Sequence, residues 1–212
     1  MGVPAGGYPW HWSVYGWIEG ETAKPDRIAN LSQFAADLAG FLTALKRIDP
    51  TDGPSPGQHN FCRGGPLTVY DDEARQAITA LGNRVDASAA RAVWEAALAA
   101  TWQVLPVWFH GDVAEGNLLV EDGRLSAVID FGTSGVGDPS CDLVIAWTLF
   151  EGESREVFRA GIAVDDAAWA RGRGWALWKA LITAAGHIDN SVEVDKSWRV
   201  IDAVLADHRR RT

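Results

Sequence analysis

The stretch Phe109–Gly132, FHGDVAEGNLLVEDGRLSAVIDFG, decides how this chain is read. Asp122-Gly123 is a two-residue turn signal of the type I′ kind between apolar runs. Folding the chain there pairs Glu121 with Arg124, Val120 with Leu125, Leu119 with Ser126 and Leu118 with Ala127. Asn117 then lies opposite Val128. Asp130, two residues beyond Val128, shares a face with Asn117, because strand side chains alternate with period two. Diagonal neighbours of this sort sit roughly 7–8 Å apart, and two oxygen-bearing side chains can converge from there on a small hard cation. Mg²⁺ takes oxygen ligands, usually one or two from protein, with phosphate and water filling the rest. Asn117 and Asp130 are the candidate metal ligands.

Asp112 precedes Asn117 by five residues, in a turn opened by Gly111 and closed by Gly116. The order Asp-x-x-x-x-Asn followed by Asp-Phe-Gly is that of a phosphoryl-transfer site. Its first Asp receives or orients the acceptor hydroxyl proton, its Asn holds metal, and its second Asp makes the other metal contact. Read singly, Asp112 and Asp130 are turn or cap residues and Asn117 is a solvated loop residue. As an ordered set on one hairpin they point to phosphate chemistry. His110 reads either as a histidine that bonds backbone and positions the turn, or as a proton shuttle. Asp142 either accepts hydrogen bonds from the same turn or is an ordinary acidic residue in the first turn of a helix.

The surroundings are mostly helical. Arg27–Ile48 carries Ile28, Leu31, Ala35, Leu38, Leu42 and Leu45 on one 3.6-period face. Asp71 or Asp72 can cap a helix through about Leu81, and Asp86 one that ends before Pro106. Asp138 with Pro139 opens another, and helices follow over Ser154–Gly161, Asp165–Ala185 and Val192–Arg210. Thr51–Pro66 is a Gly/Pro-rich loop. Ser13–Ile18 reads as a short strand before a turn at Glu19-Gly20.

The chain has 212 residues, 47% hydrophobic and 22% charged, enough for one buried domain. Its net charge of −9 disfavours nucleic acid and favours a cationic ligand, or serves solubility alone. No apolar run approaches a membrane span, and the N-terminus does not read as a secretory signal. Cys62 and Cys141 read as reduced thiols of a cytoplasmic protein. Arg63 either contacts an anionic or polar substrate group or structures its loop. Trp175 and Trp178 either line an acceptor cleft or fill the core.

His110-Gly111-Asp112 with Asn117, Ile129-Asp130-Phe131-Gly132, and Gly137-Asp138-Pro139 with Asp142 resemble the aminoglycoside phosphotransferase (phosphotransferase enzyme) family of the protein-kinase-like fold. "WSVYGWIEGE" resembles the hinge between that family's two lobes, and "RGRGWALWKAL" the C-terminal helices bordering its acceptor site. Val113-Ala114-Glu115 departs from the Leu-His-Pro often found in the turn. The resemblance implies a mainly α (α+β) chain: the C-terminal helical lobe of a protein-kinase-like fold, with one catalytic β-hairpin and a short N-terminal hinge strand. Residues 1–22 would be the hinge-like segment and 23–212 the helical lobe.

The resemblance further implies that Asp112 faces the acceptor hydroxyl and that Asn117 and Asp130 hold Mg²⁺ on the phosphates of ATP or GTP. Leu119 and Ile129 would lie near the adenine, and the backbone at Trp17 and Ile18 would contact its edge. The family's N-terminal lobe, with its phosphate-covering loop and strand lysine, is not recognisable in this sequence. The expected function is an ATP-dependent phosphotransferase acting on a hydroxylated small molecule, impaired or dependent on that lobe. The alternative is a non-catalytic binding module derived from the same lobe. Trp10, Trp12, Tyr15 and Trp17 would then form an apolar hinge face open to self-association or to an N-lobe partner. The acidic charge suits an aminoglycoside; the family also phosphorylates macrolides, choline and homoserine.

Overall fold

The computed structural model describes residues 1–186 and 191–211, with the side chains of 191–193 outside that description. In chain order the described elements are β1 (Glu21–Thr22), α1 (Leu31–Leu45), α2 (Asp71–Leu81), α3 (Ala87–Ala99) and β2 (Val107–Phe109). Then come β3 (Leu118–Glu121), β4 (Arg124–Val128), β5 (Gly135–Gly137), α4 (Ile145–Thr148), α5 (Gly152–Ile162), α6 (Asp166–Ala184) and α7 (Ser191–Arg211). The chain is mainly helical, with a three-stranded antiparallel sheet β1-β3-β4 and a two-stranded antiparallel sheet β2-β5. No helix among the described residues is long and apolar enough to cross a membrane.

Local chemistry sets the helix starts. The Asn30 side chain accepts from the Gln33 amide at 2.9 Å, so α1 begins at Leu31 rather than at Arg27. Arg27 belongs instead to a 3₁₀ turn, Pro25–Arg27. Asp86 and Asp165 cap α3 and α6 in the same way as Asn30. Asp71 is no cap. It is the first residue of α2, and its carboxylate accepts from Arg75 and from the indole N–H of Trp94 on α3, at 2.7 Å each. After the Asp138 cap, Pro139–Val144 winds as a 3₁₀ helix before α4 rather than as one α-helix.

Helix α6 is the axis of the core and is buried over most of its length. Two glycines let neighbours approach it. A Cβ at Gly172 would lie 2.7 Å from Leu143 Cβ, and one at Gly174 would lie 2.6 Å from Ala97 Cβ. Helix α1 packs on α5, where a Cβ at Gly161 would lie 2.9 Å from Ala39 Cβ. Trp94, Trp169, Trp175, Phe34, Phe150 and Phe158 are among the largest buried side chains. Two buried ion pairs orient α6. Arg171 grips Asp138 through both carboxylate oxygens, at 2.6 and 3.3 Å, and Arg173 meets Asp207 of α7 at 3.4 Å.

Two strand expectations are also corrected. No strand forms over Ser13–Ile18. The strand is β1, pairing Glu21 with Val120 and Thr22 with Leu119. Val14, Tyr15 and Trp17 are exposed, and no strand lies beside them; pairing begins only where the chain reaches the free edge of β3. The hairpin register also differs. A bulge between Leu119 and Val120 leaves Ser126 unpaired, so Leu119 faces Ala127 and Leu118 faces Val128. Asn117 therefore lies opposite Ile129, whose N–H donates to the Asn117 carbonyl at 2.9 Å.

Asp207 collects the C-terminal helix onto the core. It is fully buried and accepts from the Trp169 indole at 2.9 Å and from Arg211 at 3.0 Å, besides Arg173. Burial alone would raise its pKa. The bonds from Trp169 and Arg211, with the charges of Arg211 and Arg173, hold it below the usual carboxylate value. A depressed folded pKa adds stability above the unfolded value that is lost as pH falls through the folded one. Asp207→Ala leaves the Arg173 charge buried and unpaired, so it should cost about 3–5 kcal/mol in urea unfolding. Asp207→Asn should lose less stability than the native chain between neutral pH and pH ~3, measured by the same titration.

Candidate active site

Strand β2 delivers buried Phe109 and His110 to the turn that carries Asp112. The turn is held from below. The backbone N–H groups of His110 and Gly111 donate to the two carboxylate oxygens of Asp142, at 2.9 and 2.7 Å. Gly111 has φ +86, and a Cβ there would sit 2.5 Å from the Thr133 carbonyl oxygen, so only glycine fits. Burial pushes the Asp142 carboxyl up from its ordinary pKa, against the pull of those two amides. Lys46, half-buried at the end of α1, is moved down by burial and partly restored by the Asp142 charge.

His110 uses both ring nitrogens on backbone. Nδ1 accepts from the Asp112 N–H at 3.2 Å, so Nε2 carries the proton and donates to the Ile129 carbonyl at 2.9 Å. Its ring lies 4.7 Å from the Phe131 ring, and Thr133 Oγ1 donates to its carbonyl at 3.3 Å. The histidine thus brackets the Asp112 turn to the strand end that leads into Asp130.

The Asp112 carboxylate is exposed. Its Oδ2 accepts from Asn117 Nδ2 at 3.0 Å, and its carbonyl accepts from the same nitrogen at 2.9 Å. Asn117 has therefore committed its amide nitrogen, and its Oδ1 takes none of the described hydrogen bonds. Because of the bulge, a regular strand would send Asp130 to the opposite face from Asn117's partner Ile129. The backbone does not stay regular. Asp130 is left-handed, with φ 63 and ψ 69, and its Oδ1 accepts from the Gly132 amide at 3.3 Å. A non-glycine residue held there is a local strain that a functional site can retain. The half-buried Asn117 amide oxygen and the exposed Asp130 carboxylate are hard oxygens of the type that Mg²⁺ takes alongside phosphate and water.

Leu119 is buried on β3 and Ile129 is half-buried beside the turn. Trp17 and Ile18 are 85% and 53% exposed, and among the described residues no hydrogen bond or ring contact joins them to this network. The chain closes onto Leu119 only at Gly20, where a Cβ would lie 3.0 Å from Leu119 Cβ.

A cavity opens beside Asp112, walled by Trp175 and Trp178 of α6 and by Val200 of α7. The two tryptophans are at once core and wall. Both are buried, and both pack on Tyr70, with ring centroids 5.5 and 4.0 Å away. Glu115 of the turn pairs with Lys196 of α7 at 2.9 Å. That pair and Thr133 were not legible in the sequence. Nothing local marks a partner eighty residues away, and a lone threonine after Asp-Phe-Gly carries no signal.

Asp142→Ala strands two buried amides. It should cost about 2–4 kcal/mol of stability and should speed hydrogen exchange at His110 and Gly111 far more than at core helices α1 and α6.

The comparisons agree with this architecture. A segment is 36% identical over 66 residues to an aminoglycoside 3'-phosphotransferase of Escherichia coli, covering 29% of this chain and 24% of that protein. The chain thus matches only about a quarter of that relative's length. In three dimensions it resembles the streptomycin–ATP ternary complex of the aminoglycoside phosphotransferase APH(2'')-IIa. The TM-score is 0.52 at 17% identity, over 89% of this chain and 70% of that one. It also resembles a choline kinase of Cryptosporidium parvum, with a TM-score of 0.54 at 13% identity, over 92% and 69%. At these identities the likeness speaks for the kinase-like fold. The family model described as "Phosphotransferase enzyme family" matches residues 1–175, and with the motifs of the Asp112 turn and the Asp130 strand end in place, the chain belongs to that family.

Proposed function

We propose that this chain is the catalytic and acceptor-binding lobe of an ATP-dependent phosphotransferase that acts on a small-molecule hydroxyl. One observation carries the reading. Asp112, Asn117 and the Ile129-Asp130 strand end form a single hydrogen-bonded unit, through Asn117 Nδ2 to Asp112, Ile129 N to Asn117 O, and His110 Nε2 to Ile129 O. Family membership and the ATP complex of a structural neighbour support it.

Asp112 orients the acceptor hydroxyl and takes its proton as the oxygen attacks the terminal phosphorus. The new O–P bond forms as the bond to the departing nucleoside diphosphate breaks. Asn117 steadies the Asp112 carboxylate through its amide N–H and offers Oδ1, with Asp130, to Mg²⁺. The ion, when bound, neutralises phosphate charge. His110 keeps the Asp112 turn and the Asp130 segment at fixed separation, which is the positioning that phosphoryl transfer depends on. Residues 1–22 are the hinge-like segment of this reading and 23–212 its helical lobe, with Leu119 and Ile129 toward the nucleobase and Trp17 and Ile18 at its edge.

Calorimetric titration with Mg²⁺-ATP tests the assignment. Asp130→Ala should abolish binding that depends on Mg²⁺. Asp112→Ala should leave nucleotide binding within a few-fold of the native chain while phosphoryl transfer falls by about 10²–10⁴. Equal ATP affinity with and without Asp130 would overturn the metal assignment.

A further inference from the structure

The cavity beside Asp112 is lined by charges of both signs. Its described charged lining residues are Asp112 and Glu115 against Arg63, Lys179 and Lys196. Glu115 is matched by Lys196, and Asp112 is the hydroxyl-facing group of the proposed chemistry. No further carboxylate among the described residues lines the cavity to receive a cationic acceptor.

Arg63 is presented with care. Its guanidinium lies over the rings of Trp175 and Trp178, 5.4 and 5.5 Å from their centroids. No described salt bridge or side-chain hydrogen bond uses its five N–H donors. The platform beneath it is fixed. The Trp178 indole donates to Glu73 at 3.0 Å, and Tyr70 packs against both tryptophans. The loop behind it is fixed too. Phe61 and Cys62 are both left-handed at φ 53, the Tyr70 hydroxyl donates to the Phe61 carbonyl, and Gly64 O accepts from the Asp138 amide at 2.9 Å. Two consecutive non-glycine residues at positive φ cost stability, and such strain persists where the surroundings enforce it.

We infer that Arg63 is a specificity-determining residue that binds an oxyanion, a carboxylate or a phosphate monoester, on an acceptor whose apolar body lies on Trp175 and Trp178. The guanidinium fork matches either group bidentately, and partial desolvation over the indoles strengthens that bond. A polyamine sugar would bring its ammonium groups against the Arg63 guanidinium. The inference takes the hydroxyl's position at Asp112 from the phosphotransferase reading; the binding itself does not depend on that reading.

The test is calorimetric binding of matched aryl alcohols to the whole chain: 4-(hydroxymethyl)benzoate, 4-(hydroxymethyl)benzyl phosphate, 4-(hydroxymethyl)benzylamine, and kanamycin as the polyamine. The expected result is saturable binding of at least one oxyanion probe, about ten-fold or more tighter than the amine probe or kanamycin. Which oxyanion wins distinguishes carboxylate from phosphate. Arg63→Gln should erase the preference, and Arg63→Lys, which keeps charge and stem, should retain part of it; thermal melts check that both fold. The inference falls if the amine or kanamycin binds the native chain as tightly as the oxyanions. It falls equally if neither oxyanion binds, or if Arg63→Gln leaves their affinity unchanged. Arg63-dependent oxyanion binding without Mg²⁺-ATP binding would retain the pocket and overturn the phosphotransferase reading instead.

Discussion

The buried carboxylate of Asp142 ties the helical core to the site. It spends both oxygens on the His110 and Gly111 amides, two residues from the group that faces solvent at Asp112. A charge in that position is costly unless hydrogen-bonded, and the turn is the partner that satisfies it. Everything above the turn inherits that anchor. His110 carries it to Ile129, Asn117 returns it to Asp112, and Phe131 leans on the His110 ring and on Phe41 of α1. Asp138 caps the 3₁₀ turn that sets Asp142, and Arg171 of α6 locks Asp138, so the central helix and the Asp112 turn share one support.

Charge is distributed locally rather than by total. A net −9 suggests a welcome for cations. Some of those acids are committed within the fold: Asp207 to the C-terminal helix, Asp142 to backbone, Glu115 to Lys196. Among the charged groups that line the cavity beside Asp112 is a guanidinium on an indole platform. Interactions there act over a few ångströms at low dielectric, whereas scattered surface acids are screened beyond about 8–10 Å in physiological salt.

The hairpin shows how much of the site was legible. Asp122-Gly123 turns the chain as its residues demand, and Glu121–Arg124 and Val120–Leu125 pair as the turn dictates. Beyond that the bulge at Ser126 shifts the register by one residue. On the far edge of β3 lies β1, and a Cβ at Gly20 just before it would sit 3.0 Å from Leu119 Cβ and 3.1 Å from Ser126 Oγ. The face shared by Asn117 and Asp130 in a regular ladder is therefore replaced by a left-handed Asp130. The N-terminal strand was misplaced for a related reason. The aromatic run Ser13–Ile18 has strand composition, but a strand needs a partner edge, and only Glu21–Thr22 reaches one.

By itself the sequence determined the local elements and the order of the candidate residues: Asp112, Asn117 and Asp130, the turn at Asp122-Gly123, the caps at Asp86 and Asp138, and the helical periods. Those signals are short-range, carried by spacing, turn preference and capping within a few residues. Only the tertiary structure decided the register that aims Asp130, the use of both His110 nitrogens on backbone, the burial of Asp142, and the placing of Arg63 over Trp175 and Trp178. Each depends on groups that meet across long sequence separations, where burial and geometry, not residue type, set what a side chain can do.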